Sequence, residues 1–88
     1  MNYQEHKKKM RALAIGYIEK VGGLANIEEV EACSTRIRLI LKDKVDINLE
    51  LLKGLGAKGV LEKGQKEIHI VIGVESEEIV EEIEKLMK

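Results

Sequence analysis

Within six residues, Cys33 to Arg38, the chain sets one thiol, one threonine and two arginines. They lie in the run EACSTRIRLIL, residues 31–41, which holds the only cysteine. Cationic neighbours favour a thiolate over a thiol, and the thiolate is the nucleophile. Thr35, Arg36 and Arg38 follow Cys33 at the mouth of an alternating apolar segment. The structural alternative is a small inert cysteine beside a solvated strand face, with Glu31 as a cross-strand partner for the arginines.

Other candidate motifs are weaker. GLGAKG, residues 54–59, matches G-x-G-x-x-G, but a dinucleotide site needs a strand before it and a helix after it. Here a helical pattern precedes and a strand pattern follows, so it reads as a helix stop and turn. There is no Walker A sequence, so ATP binding is not expected. The spacing of His6, Cys33 and His69 fits no zinc pattern, no metal site is expected, and His69 reads as a strand surface residue. Lys7 to Lys9 form a short basic run, solvated in the ordinary case.

The elements that must position the thiol follow from periodicity. Residues 1–9 show no apolar period and read as a flexible tail or linker end. Met10, Leu13, Ala14, Tyr17, Ile18 and Val21 make one helical stripe, weakened by Gly16 and stopped at Gly22-Gly23. NIEEVEAC, 26–33, reads as a strand with Val30 and Ala32 on one face and Glu31 and Cys33 on the other. TRIRLILKD places Ile37, Leu39 and Leu41 opposite Arg36, Arg38 and Ile40, which makes a hairpin. Asp46 is the expected cap of a short helix reaching Lys53, with Ile47, Leu51 and Leu55 aligned. GVLEK, a turn at Gly64-Gln65 and EIHIVIGV form a second hairpin, with Ile68, Ile70 and Ile72 on one face. Ser76 is the expected cap of the last helix, with Glu77 and Glu78 near its positive end and Ile79, Val80, Ile83, Leu86 and Met87 as its stripe.

The predicted fold class is therefore α+β: a two-layer sandwich, four-stranded antiparallel sheet with three helices on one face, in the order αββαββα. Pattern alone leaves the strand order open. A chain of 88 residues is one domain with a modest core. With no Phe or Trp, that core must be Ile, Leu, Val and Ala. A net charge of -1 and only two tyrosines argue against nucleic acid as a partner. The basic, polar N-terminus has no signal-peptide pattern, and no apolar run approaches the roughly 18 residues of a membrane span, so direct insertion is not expected. A single cysteine fits a reducing, cytoplasmic setting.

EACSTRIR resembles the phosphorylation-site motif of the B domain of glucose/N-acetylglucosamine-type sugar phosphotransferase systems, Asp-Ala-Cys, a variable residue, then Thr-Arg-Leu-Arg. Asn26-Ile27, LLKGLGAKGV (51–60) and IHIVIGVES (68–76) resemble further family segments in the family order, so the resemblance spans residues 10–88. It implies a transferase component of sugar uptake, a protein-phosphocysteine sugar phosphotransferase, needing no cofactor. Cys33 would take a phosphoryl group from the phosphohistidine of an A domain and pass it to a sugar bound in a membrane-embedded C domain. Arg36, Arg38 and Thr35 would bind the phosphoryl oxygens. The domain would work at the inner face of the cell membrane. Phosphoryl transfer depends on in-line positioning and on positive charge around three equatorial oxygens, which suits this residue set. Glu31 and Ser34 depart from the usual Asp and the often aliphatic residue. A non-catalytic regulatory module on the same fold is the alternative; the intact Cys33, Arg36, Arg38 set favours the transferase.

Overall fold

Helix α1 begins well before its apolar stripe. The computed structural model describes residues 2–88, and α1 spans Tyr3–Lys20. Asn2 caps it, its side-chain oxygen accepting from the Glu5 N–H at 2.9 Å. Residues 3–9, expected as a tail or linker end, are thus the first two turns of a helix. The apolar period is missing there because those turns lie against α3 (Ser76–Met87) through charge rather than through the core. His6 pairs with Glu78, while Lys7 and Arg11 pair with Glu82.

From Met10 onward the expected stripe is buried: Met10, Ala14, Tyr17, Ile18 and Val21. Gly16 has a packing reason. A Cβ there would meet the Leu55 side chain at 2.8 Å, so its helix-propensity cost admits a close contact. The helix stops as expected at Gly22 and Gly23, at φ 103° and 95°, with the Gly23 N–H closing back on the Ile18 carbonyl at 2.9 Å.

Strands β1 (Ile27–Cys33) and β2 (Arg36–Leu41) form the first hairpin; β3 (Gly59–Glu62) and β4 (Glu67–Val71) form the second. The sheet is antiparallel in the order β1-β2-β4-β3, so β2 and β4 are central. An extra residue in β1, at Glu28, lets Ile27 and Val30 share one face although they are three apart. Ile37, Leu39 and Leu41 of β2 and Ile68 and Ile70 of β4 point with them, and Ile72 continues that face; α1 and α3 supply Ala14, Tyr17, Ile79 and Ile83 to the same core. Burying each such Ile or Leu contributes about 1.5–3 kcal/mol. Tyr17 is the polar exception. Its hydroxyl donates to the Leu55 carbonyl at 3.1 Å, and burial, with Glu75 adding to it, pushes its pKa up to about 12.

The boundaries of the other helices differ from expectation. Helix α2 is Leu49–Lys53, and its cap is Asn48, not Asp46: the Asn48 oxygen accepts from the N–H groups of Glu50 and Leu51. The helix starts two residues later than expected, and it buries Leu52 and leaves Leu51 exposed. Ser76 lies inside α3 rather than capping it. Its hydroxyl donates to the Gly73 carbonyl at 2.8 Å, so it secures the preceding loop. His69 is not a surface residue either. It lies on the sheet face away from the helices, yet its position on a central strand between Arg38 and Leu61 leaves it only 9% exposed.

Candidate active site

The uncovered face of the sheet carries the candidate residues. Across β1, β2, β4 and β3 its end row is Cys33, Arg36, Val71, Gly59, and the next row is Glu31, Arg38, His69, Leu61. Cys33 is the last residue of β1, exposed and free. Ser34 and Thr35 make the turn, with Ser34 in the left-handed region at φ 61°. The Thr35 carbonyl accepts from the N–H groups of Ile72 and Gly73, both at 2.9 Å, tying the turn to the loop that leaves β4. The thiol therefore sits on a short turn with a backbone anchor behind it.

Arg36 is the ladder partner of Cys33, on the same face, and makes no ion pair among the described residues. Directly opposed residues on one face bring their Cβ atoms to about 4.5–5.5 Å. Arg38, one row in, is placed differently. Its Nε donates to Glu67 Oε2 at 3.0 Å and its Nη1 donates to Glu31 Oε1 at 3.0 Å. The cross-strand role expected for Glu31 is thus real and belongs to Arg38. Glu67 Oε2 also bonds His69 Nε2 at 2.9 Å. These bonds, His69 first and Arg38 second, hold the Glu67 carboxyl below the ordinary carboxylate range, and the bond to Glu67 raises the Arg38 guanidinium above its own.

The four residues singled out from sequence fall into two settings. Cys33, Thr35 and Arg36 meet at the turn, while Arg38 is held among carboxylates in the adjoining row. Three residues of this neighbourhood were missed: Glu67, His69 and Lys58. Lys58 hydrogen-bonds through its N–H to the Val71 carbonyl, and its ammonium lies 3.6 Å from where a Gly73 Cβ would be. Glu67 and His69 enter through the pairing of β4 with β2, which becomes visible only once the strand order is known; Lys58 enters beside the β3–β4 hairpin.

Residues 16–48 match the family model described as phosphotransferase system, EIIB. Over 75 residues the chain is 37% identical to the PTS system N-acetylglucosamine-specific EIICBA component of Klebsiella pneumoniae and 36% identical to that of Escherichia coli (strain K12). Each match covers 85% of this chain and 12% of the relative, so the chain corresponds to a small part of those proteins. A crystal structure of one domain of the PTS system, IIabc component from Clostridium difficile, is similar in fold, with a TM-score of 0.78 and 27% identity over 91% of this chain and 84% of that one.

Proposed function

Because this chain belongs to the phosphotransferase system EIIB family, we propose that Cys33 is its phosphoryl carrier in sugar uptake. The observation that carries the reading is the Cys33–Arg36 pair on an exposed, anchored turn, inside the segment that matches the family. In the first step the Cys33 sulfur attacks the phosphorus of a phosphohistidine on an A domain. The S–P bond forms as the N–P bond breaks, and the thiol proton goes through solvent to the departing imidazole. In the second step a sugar hydroxyl held by a membrane C domain attacks the same phosphorus. The O–P bond forms, Cys33 leaves as thiolate, and the hydroxyl proton passes to solvent or to a base beside the sugar.

Arg36 supplies planar donors to the equatorial oxygens in both steps. Thr35 donates its hydroxyl to one oxygen, and Arg38 supplies further positive charge from the next row. The names of the relatives make N-acetylglucosamine the first sugar to test. None of the described helices is long and apolar enough to cross a membrane. The relatives are EIICBA components, and that supports a domain working at the membrane's inner face beside a C domain.

The engagement of Arg38 by two carboxylates favours a second reading, a regulatory module without transfer activity. Intact-protein mass spectrometry separates the two. The protein is incubated with phosphoenolpyruvate, the general phosphotransferase proteins and a glucose-type A domain. One added phosphoryl group, removed by iodine and absent in Cys33→Ser, is the expected result. No added mass on a folded protein would favour the module.

A further inference from the structure

Arg38 is held by two carboxylates of unequal hold. Glu67 is 31% exposed at its side chain, and its Oε2 takes both the Arg38 Nε and the His69 Nε2. His69 is itself buried, and its Nδ1 has no partner among the described residues, so the ring's polar contact on this face is Glu67. Glu31 is 60% exposed at its side chain and holds Arg38 by a single bond. Exposed single ion pairs are weak and readily exchanged with solvent or another anion. Glu31 is also two residues before Cys33 on the same strand face, which puts it about 7 Å along the strand from any group carried on the sulfur.

We propose that Glu67 and His69 are positioning residues that anchor Arg38, and that Glu31 is a placeholder anion which the phosphoryl group on Cys33 displaces from the same guanidinium. This rests on Cys33 being the carrier. The physics of the exchange is local. A phosphoryl group on the sulfur repels the neighbouring Glu31 carboxylate and attracts Arg38 Nη1, while Glu67 retains Nε and fixes the plane of the fork. Arg38 then needs no large movement to serve the carrier, because its bond to β1, the strand that ends in Cys33, is the weaker one. Before loading, Glu31 keeps the guanidinium from lying unpaired.

Two carboxylates on one arginine give an unusual test. If they act only through charge, removing either favours arrival of a phosphoryl group. The anchor and the placeholder should instead respond with opposite sign. Glu31→Gln is expected to raise the rate of phosphoryl acceptance severalfold. Glu67→Gln is expected to lower it by about tenfold, the size typical of losing a supporting hydrogen bond behind a functional group. His69→Gln, which keeps a donor near the position of Nε2, should stay near wild type, whereas His69→Leu should follow Glu67→Gln. Thermal unfolding of each variant checks that these differences are not loss of fold.

A second readout needs no transfer at all. In the free protein the Arg38 Nε–H resonance, followed by nitrogen-15 NMR, should exchange slowly in wild type and in Glu31→Gln and fast in Glu67→Gln. Equal exchange in the two variants, or equal rate increases in both, would overturn the proposal. The expected exchange pattern in a protein whose Cys33 never accepts phosphoryl would instead overturn the carrier reading and the displacement of Glu31, leaving the anchor in place.

Discussion

Strand β2 lives in two environments at once. Its odd-numbered side chains, Ile37, Leu39 and Leu41, are 0–1% exposed beneath the helices. The even-numbered ones, Arg36, Arg38 and Ile40, are half-buried on a face that no helix covers. The first set meets residues distant in sequence on α1 and α3. The second meets cross-strand neighbours one or two ladder positions away. The covered face ties the layers together and sets stability. The open face holds charges against one another and can exchange a partner without disturbing the core. One strand thus keeps the core and the candidate site on alternate residues.

The largest effects should separate those faces cleanly. Ile37→Ala opens a cavity beneath the central strand and is expected to cost about 2–5 kcal/mol, a large share of the roughly 5–15 kcal/mol that domains of this kind possess. Denaturant unfolding should show the loss, while the protein that remains folded still accepts a phosphoryl group. Cys33→Ser should do the reverse: no phosphoryl acceptance and an unfolding midpoint at the wild-type value. A strongly destabilised Cys33→Ser, or a folded Ile37→Ala that takes no phosphoryl, would break the division.

Arg38→Lys sharpens the comparison within the open face. A lysine keeps the charge but lacks the planar fork that holds Glu67 and a second anion in one plane. The expected outcome is a loss of about tenfold or more in transfer to sugar, with no shift in unfolding midpoint. Wild-type rates of both acceptance and sugar transfer would remove the role assigned to the fork.

Acid should act mainly through the helix layer. The Glu82 side chain is 5% exposed, and hydrogen bonds from Lys85 and then Arg11, with Lys7 nearby, hold its carboxyl below its ordinary value of 4.5. A carboxyl whose folded value is depressed stabilises the protein fully above its unfolded value and loses that contribution as pH falls through the folded one. Stability should therefore decline below about pH 4.5, and Glu82→Gln should flatten that decline. Glu67 is shifted in the same direction by His69 and Arg38. It is more exposed, so Glu67→Gln should flatten the acid limb less. The reverse ranking in a pH series of thermal unfolding would mean that the open face carries stability after all.

The two faces also differ in how far the sequence reveals them. Alternation in TRIRLILKD separates Ile37 from Arg36 without any knowledge of the fold, because strand geometry has a period of two. The alternation also places Cys33, Arg36 and Arg38 on exposed faces, but the Cys33–Arg36 register itself comes from the structure, because the length of the turn sets it and no pattern fixes that length. His69 and Glu67 were not legible as neighbours of Arg38. Their contact needs β4 beside β2, and no local pattern distinguishes that order from a meander. The start of α1 was hidden for a related reason. Hydrophobic periodicity detects a helix through its core contacts, and the first turns of α1 contact α3 through His6, Lys7 and Arg11. The caps shifted by two positions, from Asp46 to Asn48, and by one, from Ser76 to Glu75, as helix ends do when several polar residues compete.

The smallest effect concerns the turn that carries the thiol. Ser34 lies at φ 61°, a conformation that costs a residue with a side chain about 1–2 kcal/mol. Glycine removes that steric cost but gives back roughly 0.5–1 kcal/mol through greater freedom in the unfolded chain. Ser34→Gly is therefore expected to stabilise the protein by no more than about 1.5 kcal/mol, seen as a rise of a few degrees in Tm. The Ser34 side chain is exposed and makes no hydrogen bond among the described residues, and the Thr35 carbonyl anchor is backbone and survives the change. Phosphoryl acceptance should then stay at the wild-type rate. A fall in Tm would show that the serine side chain itself holds the turn, and that the open face contributes to stability at the very residue next to Cys33.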